Sequence, residues 1–107
     1  MSFERIKDPC LSGIVEKLKT EFQPTKIFLF GSHSKNIATE SSDYDLVVVV
    51  KDSKLNQVQR SAKAIEITWT LSGADIFVYT ENEFNQLVNK YGSVAYTAFN
   101  EGQLLDV

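Results

Sequence analysis

Apolar positions along this chain follow two periods. Leu11, Ile14, Val15, Leu18 and Phe22 recur every three or four residues, the spacing of one face of an α-helix. Asp8 and Pro9 just ahead supply an N-cap and a first-turn proline, and Gln23-Pro24-Thr25 ends the segment. Lys26–Phe30, Tyr44–Val50 and Ala74–Tyr79 are instead short, dense runs of Val, Ile and Phe, which predict strands buried on both sides. Residues 32–38 predict a helical turn or short helix. Ser53 is the expected cap of a helix over 54–71, with Leu55, Val58, Ala62, Ile65 and Trp69 as its inner face and Ser72-Gly73 as its stop. Thr80 caps a further helix, and Glu83 completes a capping box. That helix carries Phe84, Leu87 and Val88 and breaks at Gly92. A last helix over 93–100 closes at Glu101-Gly102, and Leu104-Leu105 predicts a short terminal strand. The resulting order is α-β-α-β-α-β-α-α, an α/β (α+β) arrangement.

Length and composition narrow this picture. The 107 residues predict a single domain, 1–107, and a 43% hydrophobic fraction allows a modest core. Leu46–Val50 is too short an apolar run to cross a membrane. Met1-Ser2-Phe3-Glu4-Arg5 has neither the basic start nor the apolar stretch of a signal peptide. Cys10 is the one cysteine, so no internal disulfide forms and a cytoplasmic location is expected. With 11 basic and 14 acidic residues the net charge is −3, which disfavours holding free nucleic acid by phosphate neutralisation. A chain of this length is also expected to need a partner to supply the acceptor of any group transfer.

The chemistry concentrates around two of the predicted strands. Asp43 and Asp45 stand two apart at the start of one, so both point to the face shared with Val47 and Val49, while Tyr44, Leu46, Val48 and Val50 take the other. Asp75 is the acid of an otherwise apolar strand. If that strand runs beside the second in the same direction, Asp75 joins the first two acids. A turn acid, a strand-end charge and a solvated strand start would explain each singly. Together, like charges in a confined place point to a divalent cation, and hard oxygen ligands suit Mg²⁺ or Mn²⁺. Gly31-Ser32 lies eleven residues before Ser42, after the first buried strand. A bare glycine there lets backbone N–H groups approach a phosphate, and Ser32 adds a hydroxyl donor. The combination reads as phosphoryl or nucleotidyl transfer.

Other residues weigh less. Lys35 is either a phosphate contact or a solvated loop lysine. His33 is read as a solvated imidazole, Tyr44 as core, Trp69 as core or interface, and Cys10 as an inert buried thiol. Tyr91, Tyr96 and Phe99 fit either an internal face or a docking face.

Gly31-Ser32, Ser42-Asp43-Tyr44-Asp45-Leu46 and the later Asp75 resemble the minimal nucleotidyltransferase family of the DNA polymerase β superfamily, and Phe99-Asn100-Glu101-Gly102 is similar to that family's closing Glu-Gly segment. The resemblance covers about 26–105. It implies a nucleotidyltransferase fold, with a short mixed β-sheet flanked by helices. It implies that Asp43, Asp45 and Asp75 are catalytic and hold Mg²⁺ (or Mn²⁺), with Asp75 beside the acceptor. Gly31, Ser32, Lys35 and Ser42 would bind the nucleotide, ATP, whose AMP passes to a hydroxyl. Ser34-Lys35-Asn36 departs from the family's usual Ala-Arg-Gly. Asn36 tolerates a left-handed backbone, but Lys35 lacks arginine's bidentate geometry. Small chains of this family resemble the antitoxin of a toxin–antitoxin pair whose other member is a HEPN-type ribonuclease, so the expected acceptor is a HEPN-type protein. Two alternatives stand beside it: a non-catalytic module that neutralises such a partner by contact, and a transferase acting on a small molecule or RNA. A homo- or hetero-oligomer is left open.

Overall fold

The computed structural model describes residues 9–30, 44–70 and 74–105. Helix α1 (Pro9–Phe22) buries Leu11, Ile14, Val15 and Leu18, the stripe its periodicity predicts. It stops at Gln23, whose φ of 50° is left-handed and whose N–H reaches back to the Lys19 carbonyl; Pro24 follows. The predicted cap Asp8 lies outside the described residues. Strand β1 (Lys26–Phe30) and strand β2 (Tyr44–Val50) carry the expected boundaries and pair antiparallel, Lys26 opposite Val49 and Phe30 opposite Asp45. Strand β3 (Ala74–Thr80) runs parallel to β2, and β4 (Gln103–Leu104) adds antiparallel to β1. The mixed sheet has the order β3-β2-β1-β4.

Alternation along the strands divides the interior. Leu46, Val48, Ile76 and Val78 meet α1 on one side, with Tyr44 in the same cluster, as its position in the alternation predicts. Phe28, Val47, Val49 and Tyr79 meet α3 (Glu81–Leu87) and α4 (Val94–Glu101) on the other. Thr80 and Glu83 form the predicted capping box of α3, and Ser93 caps α4. Phe28 stacks on Phe84 at 5.6 Å, and Phe99 meets both rings edge-on at 6.4 Å. Gly102 ends α4 against β1. A Cβ there would stand 2.5 Å from the Ala98 carbonyl oxygen and 2.7 Å from that of Leu29, so the close docking of α4 on the strand requires glycine.

The connection between β2 and β3 corrects the sequence reading. Helix α2 spans Gln57–Thr68 rather than 54–71, and its cap is Asn56, reciprocally bonded to Gln59. Ser53 instead accepts from the Leu55 N–H in the turn before it. The inner face is also different: Arg60, Ala64 and Thr68 are buried, and of the expected face Ile65 packs against the core, whereas Val58 and Trp69 are 72% and 70% exposed. Trp69 is therefore not core. The reason lies in what α2 covers. Strand β3 is an edge strand, whose outer backbone groups have no strand neighbour, and α2 satisfies those of Val78: its N–H donates to Ser61 Oγ at 3.1 Å, and Arg60 Nη1 donates to its carbonyl at 2.9 Å. Polar side chains serve that junction better than the apolar stripe would. No helix among the described residues is long and apolar enough to cross a membrane. The expected stop Ser72-Gly73 and the turn over 32–38 lie outside the described residues.

Candidate active site

The ladder between β2 and β3 places Asp45 directly opposite Asp75. Neighbouring strands lie about 4.8 Å apart, and in both strands the acid falls on the face that carries Phe77, Val47 and Tyr79. Two acids thirty residues apart in the chain thus stand side by side because β3 is parallel to β2 and in that register. A slip of one residue would send one of them to the opposite face. Asp45, on an interior strand, is half-buried, and Asp75, on the edge strand, is exposed.

Both acids sit at the end of the sheet where β2 and β3 begin. The same end is where β1 finishes, since Phe30 is the register partner of Asp45. Phe30 leads directly into Gly31-Ser32, and Asp43 immediately precedes Tyr44. Gly102 lies against Phe30 too, so the end of α4 borders the region. Of the residues expected to form the site, Asp45 and Asp75 are brought together. Gly31, Ser32, Lys35, Ser42 and Asp43 lie outside the described residues, as do His33 and Asn36. Among the described residues no group of three or more His, Cys, Asp or Glu side chains gathers to hold a metal. Like charges directly opposite on a ladder destabilise it by up to about 1 kcal/mol, and a dication between them reverses that sign. Carboxylate oxygens are hard donors, the type that suits Mg²⁺ or Mn²⁺.

The opposite end of the same strand pair holds a feature the sequence did not announce. Arg60, 2% exposed, grips Glu83 with both terminal nitrogens, Nη1 to Oε1 at 2.7 Å and Nη2 to Oε2 at 2.9 Å. Its Nε donates to the Leu55 carbonyl at 2.9 Å. Glu83 Oε1 also accepts from the Thr80 N–H at 2.9 Å. The Arg60 hydrogen bonds above all, with those from Thr80 and against a contrary push from partial burial, pull the Glu83 carboxyl down from 4.5 to about 2. Tyr79 is pushed up by burial and by the Glu83 charge. This network ties the start of α2, the end of β3 and the start of α3 into one joint. It fixes β3, and with it the position of Asp75. The capping-box pattern marked Glu83, but one arginine on a helix carried no signal of burial.

No curated protein matches the chain. Among solved structures, the 1.40 Å crystal structure of a candidate nucleotidyltransferase from Sulfolobus solfataricus matches it at a TM-score of 0.50 and 21% identity, over 72% of this chain and 69% of that one. At that identity the likeness bears on the fold, which it shows to be the nucleotidyltransferase fold. The model of the nucleotidyltransferase domain family matches residues 11–105, a span that holds the whole sheet, both acids and every described helix but the first two residues of α1, and the chain accordingly belongs to the nucleotidyltransferase domain family.

Proposed function

We propose that this chain transfers AMP from ATP to a hydroxyl of a partner protein, and that the partner is a HEPN-type toxin which the modification silences. The observation that supports the chemistry is the register of β2 and β3, which sets Asp45 against Asp75 at the end of the sheet from which Gly31-Ser32 departs. Asp43, Asp45 and Asp75 hold the divalent ion in this reading. Bound there, Mg²⁺ would supply charge neutralisation to the triphosphate and to the departing pyrophosphate. Gly31 and Ser32 hold the terminal phosphates, with Lys35 and Ser42 beside them. Asp75 is the more accessible acid and stands on the edge strand, so it faces the acceptor and takes the proton its hydroxyl loses.

Incubating the chain with the product of its adjacent gene, ATP and Mg²⁺ is expected to raise that partner's mass by whole AMP increments. Asp45→Asn is expected to lower the rate by about 10²–10⁴-fold, the scale of losing a positioned catalytic group. Unchanged mass with every candidate acceptor overturns the transfer. Neutralisation of the partner that survives Asp45→Asn assigns the chain a binding role instead.

A further inference from the structure

Aromatic rings border the acid pair on the face that carries it. Phe30 is the register partner of Asp45, and Phe77 stands two residues along β3 from Asp75, about 6.6 Å of strand. The next rung of the sheet on that face is Phe28, Val47 and Phe77. Phe99 of α4 lies against this rung, its ring centroid 6.4 Å from that of Phe28. Phe30 and Phe77 pack against the core but stay half-buried. Phe99 is 44% exposed although it meets two other rings. Each of the three therefore keeps apolar surface that the fold does not use.

The reaction proposed for the acids decides which part of its substrate meets these rings. In an in-line displacement at the α-phosphorus the attacking and leaving oxygens lie opposite one another. The terminal phosphates are assigned to Gly31-Ser32, which follows the end of β1, and the acceptor to Asp75 on β3. Strand β2 lies between β1 and β3, so that line runs across the strands. The nucleoside is the substituent left over. It departs from the phosphorus off that line, along the strand direction, and inward over the face it reaches the rung of Phe28, Val47 and Phe77. That rung lies about 6.6 Å behind the acids, the span of one ribose between phosphate and base. The triphosphate itself has no use for such a surface, because the face of a phenyl ring is the negative end of its quadrupole. A nucleobase stacks on it.

We propose that Phe30, Phe77 and Phe99 form a stacking surface for the base of the nucleotide, a subsite that rests on the transfer reading above. Two of the rings belong to the strands that carry or flank the acids. The third is delivered by α4, and the close docking of Gly102 on β1 sets its height over the face. Phenyl rings offer a base their faces and no hydrogen bond to its edge. The subsite therefore favours purines over pyrimidines by their larger ring area, and it does not separate adenine from guanine.

Calorimetric titration of the chain with Mg²⁺ and ATP, GTP, CTP or inorganic tripolyphosphate tests the subsite without any acceptor. ATP and GTP are expected to bind alike, more tightly than CTP, and to exceed tripolyphosphate by about tenfold or more. Phe99→Ala is expected to weaken ATP by about tenfold and to leave tripolyphosphate unchanged, whereas Phe99→Tyr keeps the ATP affinity. Phe77→Leu, a milder change to the core, is expected to weaken ATP in the same selective way. In NMR spectra, ATP but not tripolyphosphate is expected to shift the ring protons of Phe77 and Phe99. ATP that binds no better than tripolyphosphate overturns the proposal. So do losses in Phe99→Ala and Phe77→Leu that are equal for both ligands. A chain that binds neither ligand has no nucleotide site, and the subsite falls with it. Base-dependent binding without AMP transfer to any acceptor overturns the transfer and leaves the subsite in place.

Discussion

The two ends of the β2–β3 pair use carboxylates in opposite ways. At the far end Glu83 meets a buried guanidinium and a backbone N–H, and every polar contact is completed within the chain. At the near end Asp45 faces Asp75, like against like. Five residues of strand, about 16 Å, separate Asp75 from Thr80. That exceeds the Debye length of about 8 Å at physiological salt, so the ends are electrostatically independent. A completed ion pair stabilises a fold and leaves little capacity for a ligand. Two acids set side by side at the end of a sheet make the kind of place a cation favours. The first end holds the strand in place, and the second is what it holds.

The largest test of that contrast is Glu83→Ala. It leaves the Arg60 guanidinium buried without its carboxylate, and a loss of about 2–4 kcal/mol is expected in urea denaturation. The figure lies toward the low side because Glu83 is partly exposed. Gly102→Ala comes next, because its Cβ would press on two carbonyl oxygens and push the end of α4 off β1. A loss of about 1–3 kcal/mol is expected. Since Gly102 lies against Phe30, the register partner of Asp45, activity should fall with it.

The pH dependence is smaller and has a definite sign. Glu83 titrates at about 2 in the folded chain, against 4.5 unperturbed. Its contribution is complete above pH 4.5 and is lost as pH falls from there toward 2, where the unfolded state binds the proton more tightly. Wild type should therefore lose stability across that window more steeply than Glu83→Gln, as measured by denaturation midpoints at successive pH values. The smallest effect is expected from Asp75→Asn without metal, a change within about 1 kcal/mol and in the stabilising direction. The same variant should reduce the rise in melting temperature that Mg²⁺ and ATP produce in wild type. Combined with Glu83→Ala, its effect should add, since the two ends lie about 16 Å apart along the strand.

Legibility followed the local physics. β1 and β2 were readable to the residue, because a run such as Val47–Val50 satisfies no other structure as well as a strand buried on both faces. The box at Thr80 was readable because capping is settled within four residues. Asp45 and Asp75 were readable as a pair only on the condition of parallel neighbours, which the sheet meets. α2 was misread for a definable reason. Periodicity locates the apolar face of a helix, and here that face is not the one that docks. The docking face needed donors and acceptors for the β3 edge and took Arg60 and Ser61.

The sequence by itself determined the strands, the limits of α1, the start of α3 and an acid spacing that resembles a nucleotidyltransferase's, since each depends on residues close along the chain; α3 ends at Leu87 rather than at the expected Gly92. Tertiary structure alone decided three things. It chose the register that sets Asp45 on Asp75, the burial of Arg60 against Glu83, and the outward turn of the Val58–Trp69 stripe. All three follow from where β3 lies. Strand pairing and edge coverage are settled between segments distant in sequence, where local periodicity carries no information.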